Sequence, residues 1–293
     1  MIPPTKIFFV INPASGKNSR KPDETEILEF FRNTPFEIKT ALTGSNGHAS
    51  DLTKNALGEN FDVVVAVGGD GTVNEIAKVL NGTGKYLGII PCGSGNGLAR
   101  HHKIPFKISE ALAVIAKNNV VNHDSVKIND HYSFNVSGIG FDAHVAHLFG
   151  KDGNRGFLNY VKLVVKEFSD YHEFSYSIDC TEKKESGKAM LIAIANASQF
   201  GNNARIAPSA DTNDGKADIT VVRKMNFLQL PYFAYKVFKG EVHHSQFTSV
   251  MDTEKIIITC NTEVPLHVDG EPAGFSKRFE ISSLKSSLRL IVP

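Results

Sequence analysis

The stretch VVVAVGGDGTVNE, residues Val63 to Glu75, decides how this chain is read. Val63 to Val67 is an unbroken apolar run of strand length, as expected of a strand buried on both faces. Thr72-Val73-Asn74-Glu75 has the spacing of a capping box, in which a threonine oxygen and a glutamate carboxylate satisfy free amides at a helix start. Val73, Ile76 and Leu80 then mark one helical face, and Asn81-Gly82 ends it. Gly68, Gly69, Asp70 and Gly71 lie between strand and helix, at the carboxyl end of a strand, where ligands bind in parallel sheets. Three glycines let the backbone approach a bulky anion, and the helix start aims unpaired amides and a positive dipole at it, so phosphate is the expected guest. An acid inside a phosphate loop is repulsive by itself. Asp70 therefore reads as a magnesium ligand or a group that orients an attacking hydroxyl. A tight turn with a solvated aspartate is the plain alternative; strand, loop and capping box together outweigh it.

The pattern repeats outward from this stretch. Strands are expected at Lys6 to Ile11, Phe36 to Leu42 and Tyr86 to Ile90, with helices near Pro22 to Asn33 and His48 to Leu57. Strand–helix units of about 25 to 30 residues imply a mostly parallel sheet with helices on both faces. Beyond about Val120 the texture changes to many short strands: Val126 to Ile128, Tyr132 to Val136, Phe174 to Ile178, Met190 to Ala195, Ala217 to Val222, Lys255 to Thr259 and Leu288 to Val292. Helical patterns run from Arg155 to Phe168 and from Leu228 to Phe238. An antiparallel sandwich is the expected second domain, with the active site in the cleft between the halves.

Two further loops follow strands. Pro91-Cys92-Gly93-Ser94-Gly95-Asn96-Gly97 offers a second amide-rich surface, with Asn96 suited to a ribose or phosphate. Asn12-Pro13-Ala14-Ser15-Gly16-Lys17 puts a lysine after a tight turn, but it is not a Walker A loop, and no GxGxxG with a following ribose-binding acid occurs. A dinucleotide oxidoreductase is therefore disfavoured.

Composition excludes other classes. Over 293 residues, 41% are hydrophobic and 22% charged, with a formal net charge of +1, so neither disorder nor a broad nucleic-acid footprint is signalled. Cys92, Cys180 and Cys260 are scattered and odd in number, which argues against a disulfide framework or thiolate metal site and fits a reducing cytoplasm. No apolar run is long enough to span a bilayer, so membrane contact is expected to be peripheral. The His101-His102 and His243-His244 pairs lack zinc spacing and read as surface residues. The aromatic and lysine pattern around Tyr232, Tyr235, Lys236 and Lys239 suits either core packing or an anionic membrane surface, with packing preferred.

Taken together, Asn12-Pro13 with Ser15-Gly16-Lys17, Thr43 with Gly47-His48-Ala49, Gly68 to Glu75 and Pro91 to Ala99 resemble the catalytic domain shared by diacylglycerol kinases, bacterial lipid kinases and sphingosine kinases. Asp124, Asn135 and Gly140-Phe141-Asp142-Ala143 resemble that family's junction segment. Pro208, Ala210 and Asp214-Gly215 resemble its P-x-A-x-x-x-D-G segment, and Asp269-Gly270-Glu271 its late D-G-E motif.

The resemblance implies an ATP-binding α/β domain over residues 1–122, Rossmann-like and similar to NAD kinases and phosphofructokinases, then a mainly antiparallel β-sandwich over residues 123–293. ATP would lie between them. It implies that Asn12, Ser15, Gly16, Lys17, Thr43, Gly68, Gly69, Asp70, Gly71, Thr72, Gly93, Ser94, Gly95 and Asn96 hold the nucleotide, supported by Glu75. Asp70 and Glu271 would organise a catalytic magnesium, Asp269 would accept the lipid hydroxyl proton, and Asp214 would bind a second, structural metal. Phosphoryl transfer asks for positioning and charge neutralisation, and one carboxylate suffices as base. Taken by itself, Asp269-Gly270 reads as a hairpin turn, and Asp70 competes with Asp269 for the role of base.

The implied activity is an ATP- and magnesium-dependent lipid kinase at the inner face of the membrane, in the cytoplasm, with a homodimer among the allowed assemblies. Gly93-Ser94-Gly95-Asn96 resembles the sphingosine-kinase loop, whereas His144 stands where that pattern has an acid for the substrate amine. Diacylglycerol is thus the first substrate and a sphingoid base the second. NAD kinase and a non-catalytic lipid- or nucleotide-binding regulator are the remaining readings. Three carboxylates, Asp70, Asp269 and Glu271, gain nothing for passive phosphate binding.

Overall fold

The computed structural model describes residues 6–16, 20–149, 157–180 and 184–293. Lys17, Arg155 and Gly156 lie outside them. The elements run β1 (Lys6–Ile11), α1 (Glu24–Phe31), β2 (Glu37–Leu42), α2 (His48–Gly58), β3 (Val63–Gly68), α3 (Asp70–Leu80), β4 (Tyr86–Pro91), α4 (Gly97–His101), α5 (Ile108–Lys117), β5 (Val120–Ile128), β6 (His131–Ser133), β7 (Val136–Gly140), α6 (Phe141–Leu148), α7 (Phe157–Phe168), β8 (Phe174–Cys180), β9 (Lys184–Ala189), β10 (Leu191–Ala195), β11 (Ala217–Val222), α8 (Leu230–Lys239), β12 (Thr248–Thr253), β13 (Lys255–Val268) and β14 (Glu271–Ile291). The chain divides into two compact units: Met1–His123 with Ser286–Pro293, and Asp124–Lys285.

In the first unit, β2, β1, β3 and β4 lie side by side and parallel, and the last residues of β14 add to β4, pairing Arg289 with Tyr86. Every residue of β3 and β4 is buried, which is why both read as continuous apolar runs. Ile7, Phe9, Val65, Ile90, Leu112 and Ile115 share one core on the α1 and α5 side of the sheet. All four parallel strands release their loops at the same edge, which is the fold's contribution to the site.

The second unit is built of antiparallel pairs. β12, β11, β10, β7 and the end of β13 form one sheet; β9, β8, the start of β13, the middle of β14, β5 and β6 form the other. β13 crosses between the two sheets through irregularities between Thr259 and Val264 and between Pro265 and His267, the usual means of turning a sandwich corner. Ile139, Ile192, Ile219, Ile258 and Leu266 fill the interior. A second apolar cluster seats α6, α7 and α8 on this unit through Phe141, Val145, Phe168 and Phe233.

Three expectations change. Leu288 to Val292 is not a separate short strand but the end of the 21-residue β14, and Lys255 to Thr259 is the start of the 14-residue β13. Exposed stretches along both hide their length from an alternation rule, because the face that is buried changes where the strands switch sheets. The capping box at Thr72 does not form. α3 begins at Asp70 with Gly69 as its cap, so Thr72 is already helical, and the Glu75 carboxylate turns to another helix. Finally, His102 is half-buried rather than on the open surface: its ring meets His101 and the fully buried His123 edge-on at 4.8 and 5.3 Å. Burial, reinforced by the two neighbouring imidazoles, pushes its pKa down to about 2.

Candidate functional site

Four loops leave the carboxyl ends of β1 to β4. The first and third are tied by Asn12, whose side-chain amide donates to Thr72 Oγ1 at 2.9 Å while its Oδ1 accepts from the Ala14 amide. Thr72 is 4% exposed, so its hydroxyl is a fixed point between β1 and α3. The third and fourth loops touch backbone to backbone. A Cβ added to Gly93 would lie 2.5 Å from the Gly69 Cα, and one added to Gly68 would lie 2.6 Å from Thr72 Oγ1. Only glycine lets the two loops approach this closely. Ser15 stands beside them, with its hydroxyl 3.3 Å from where a Gly69 Cβ would sit.

Two carboxylates stitch this edge together. Asp70 accepts from the Asn96 amide at 2.8 Å and from the Gly97 amide at 2.7 Å, one per oxygen, and so satisfies the open amides at the start of α4. Glu75 accepts from the Gly47 and Ala49 amides at 3.0 and 3.1 Å, doing the same for α2. Asn96, left-handed at φ 51° and 4% exposed, closes its own loop through the Gly93 amide and carbonyl. Ser94 is exposed at the tip, Thr43 is buried after β2, and Gly16 turns at φ 52°. Lys17 falls outside the described residues.

In the second unit, Asp269 and Gly270 form the two-residue turn between β13 and β14, with φ of 50° and 89°. That is the hairpin geometry an Asp-Gly pair favours. The Asp269 side chain nevertheless has specific partners: Ser133 Oγ at 2.6 Å and the Phe134 and Asn135 amides at 2.9 and 3.0 Å. Ser137 donates to Ser133 at 2.8 Å and accepts the Asp269 amide at 3.2 Å, closing a ring of hydrogen bonds. Glu271 is exposed at the start of β14.

Asp214 is exposed in the loop before β11, accepts from the Lys216 amide, and neighbours a set of acids. Buried Asp124 accepts from the Gly215 amide at 2.7 Å. Burial, then the charges of Asp214, Asp252 and Asp211, raise the Asp218 pKa to about 6.

Residues 6–128 match the family model described as diacylglycerol kinase catalytic domain, and residues 135–290 match the YegS C-terminal NAD kinase beta sandwich-like domain. The chain belongs to the diacylglycerol kinase family. A Bacillus subtilis (strain 168) protein named diacylglycerol kinase is 26% identical over 290 residues, covering 97% of this chain and 95% of that one. A probable YegS-like lipid kinase of Pectobacterium atrosepticum is 26% identical over 286 residues, covering 95% and 94%. A solved structure described as a putative diacylglycerol kinase from Bacillus anthracis str. Sterne shares the fold, with a TM-score of 0.80 at 22% identity over 99% of this chain and 97% of that one.

Membership of the diacylglycerol kinase family makes the chain an enzyme, a lipid kinase. Around its D-G-E motif the structure adds side chains that the sequence did not single out. Ser133, Ser137 and His267 are all buried against the Asp269 turn. Ser133 and Ser137 lie on different strands and no periodicity pairs them; His267, two positions before Asp269, looks like any residue of a buried strand. For a divalent ion, no group of three or more His, Cys, Asp or Glu side chains forms a cage among the described residues. Magnesium commonly takes one or two carboxylates and completes its shell with phosphate oxygens and water; Asp70 and Glu271 each offer a carboxylate, that of Asp70 already accepting two backbone amides. Asp214 beside the crowded Asp218 is likewise a donor set that a cation would relieve.

Proposed function

We propose that this chain transfers the γ-phosphate of ATP, with magnesium, to a lipid hydroxyl, with diacylglycerol as the acceptor and phosphatidic acid as the product. The observation that carries the nucleotide half is the contact of Gly69 with Gly93 beside the start of α3, which leaves two amide-rich loops bare of side chains at one sheet edge. On this reading the Asn12–Gly16 turn, Thr43, Gly68 to Thr72 and Gly93 to Asn96 hold the triphosphate and nucleoside, with Lys17 adding a charge. Asp70 and Glu75 hold the loops in shape and Asp70 shares the metal. Magnesium, once bound, neutralises charge on the phosphates.

Asp269 accepts the proton of the attacking lipid hydroxyl, and Glu271, two residues on, would hold the metal. The role of Asp269 as base is supported by its position: a carboxylate held by three donors cannot rotate away from its target. Asp70 is the competing candidate, although its carboxylate also holds the start of α4. Asp214 takes a structural metal with nearby backbone carbonyls. We assign residues 1–122 to nucleotide binding and 123–293 to lipid binding.

Diacylglycerol is preferred to a sphingoid base because His144 engages Glu167 at 3.0 Å and draws its pKa down through that hydrogen bond, so the carboxylate nearest this position already has a partner. We propose peripheral contact with the membrane; no helix among the described residues is long and apolar enough to cross a bilayer. The deciding experiment incubates the purified protein with labelled ATP and magnesium over diacylglycerol, a sphingoid base, ceramide and NAD. Label in diacylglycerol, abolished by EDTA and by Asp269→Asn in a folded protein, is the expected result. Label in NAD alone overturns the lipid assignment, and normal turnover by Asp269→Asn overturns the choice of base.

A further inference from the structure

Two ionisable side chains are buried next to the Asp269 turn and have no part in the chemistry assigned above. His267 and Asp142 have side chains 3% and 6% exposed, and His267 Nε2 lies 3.1 Å from Asp142 Oδ2. The other ring nitrogen, Nδ1, accepts the Gly270 amide at 3.1 Å. An accepting Nδ1 leaves the ring proton on Nε2, which therefore donates to Asp142. Asp142 Oδ1 accepts the Ala143 amide at 2.8 Å, at the start of α6. The Asp142 carboxylate thus accepts from the His267 ring on one side and from the first turn of α6 on the other, while the ring accepts the Gly270 amide.

Stability alone does not account for this pair. A carboxylate buried against a singly protonated imidazole costs desolvation that apolar residues of the same volume would not, and apolar residues fill the sandwich interior nearby. The backbone also makes room for it. Gly138, paired with His267 across β7 and β13, would put a Cβ 2.0 Å from Asp142 Oδ2. Three positions on β7, α6 and β13 are thus committed to an arrangement whose open end is the peptide between Asp269 and Glu271.

We infer that Asp142 and His267 are positioning residues for phosphoryl transfer, fixing the Asp269–Glu271 turn by holding the Gly270 amide. The two-residue turn has both φ angles positive, a conformation that an Asp-Gly pair adopts, and the Gly270 amide lies between the two left-handed residues. Relaxation of the Gly270 peptide would swing the Asp269 and Glu271 side chains, since each is attached to one side of it. Displacement of a reacting group by about 1 Å can lower turnover by about 10²-fold. The Ser133–Ser137 ring holds Asp269 independently, so the aspartate is held at both its carboxylate and its following peptide.

This inference rests on the reading of Asp269 as the base, and the experiment separates the two. Gln at position 267 keeps a donor for Asp142 and loses the acceptor for Gly270; Asn keeps an acceptor near Nδ1. His267→Gln is expected to lower kcat about 10- to 100-fold with KM for ATP changed less than about twofold, and His267→Asn to recover a large part of that loss. Asp142→Asn, combined with His267→Gln, should add little to the single change, because the two act as one unit. If His267→Gln does not fold, Asp142→Asn alone carries the same expectation for kcat against KM. Wild-type kcat in either folded variant, or equal losses in the Gln and Asn variants, overturns the inference. If Asp269→Asn in parallel keeps normal turnover, the assignment of the base fails instead.

Discussion

Asp70 Oδ1 lies 2.7 Å from the Gly97 amide nitrogen, so the acid of the first glycine loop is also the cap of the helix that follows the second. Its other oxygen holds the Asn96 amide. Asp70 thereby couples the shapes of two loops that are 26 residues apart in the chain.

Asp70→Ala leaves two amides without an acceptor and should destabilise the first unit by about 1–3 kcal/mol while abolishing turnover. Asp70→Asn keeps one acceptor oxygen and should lose less stability than Ala. Urea denaturation with parallel kinase assays checks the order; equal stability of all three proteins contradicts the coupling.

Gly93→Ala forces a methyl to within 2.5 Å of the Gly69 backbone, where no flexible side chain can yield. Loss of at least tenfold in ATP affinity is expected by calorimetry. Gly84→Ala is the control for handling a glycine in a left-handed turn of the same unit: nothing lies within 4 Å of its Cβ site, and only a backbone penalty of about 1 kcal/mol should appear.

Asp218 has a pKa near 6 because it is buried among other acids. A divalent ion at Asp214 should relieve that repulsion and raise the melting temperature, as any ligand selective for the native state does. Differential scanning calorimetry with magnesium and with EDTA tests this, and Asp214→Asn should remove the difference. An equal shift in the variant places the ion elsewhere.

Acid should erode stability through His102. Its folded pKa of about 2 lies below the ordinary value of 6.5, so below pH 6.5 the unfolded chain binds the proton more readily than the native one. The contribution is intact above pH 6.5 and falls as pH drops toward 2, by at most about 1.4 kcal/mol per pH unit. His102→Phe should flatten this part of the pH–stability curve measured by urea melts between pH 7 and pH 5.

We expect the outer faces of α7 and α8, with the turn before α8, to meet the lipid surface. Leu158 is 75% and Leu228 89% exposed, and Phe227 and Tyr235 are each about half exposed. The two helices carry Lys162, Lys166, Lys236 and Lys239 against the single acid Glu167. Leu228→Glu and Leu158→Glu should weaken sedimentation with anionic phosphatidylglycerol vesicles by tenfold or more, while leaving turnover of a dispersed short-chain diacylglycerol unchanged. Binding to vesicles that survives both changes moves the contact to another face.

The parallel half was legible from residues because its strands are buried on both sides. Val63 to Val67 and Tyr86 to Ile90 are apolar without interruption, and glycine follows each where the chain must turn toward a ligand edge. The D-G-E segment was legible only through its resemblance to a family, since Asp269-Gly270 alone describes a hairpin turn, and the structure contains that turn. Thr72 to Glu75 shows the limit of local spacing: the pattern of a capping box was present, but two helices lay within reach of Glu75 and the amides of α2 won the carboxylate.

The order of apolar runs, glycines and acids along the chain was enough to determine an α/β half, a strand-rich half and the glycine-rich loops at the strand ends, because burial periodicity and glycine freedom are local properties. The partners of Asp70, Glu75, Asp269 and His267 were decided by the tertiary structure alone. Hydrogen bonds form between groups brought within about 3 Å, and which groups those are depends on strands and helices from 26 to more than 130 residues away meeting at one place.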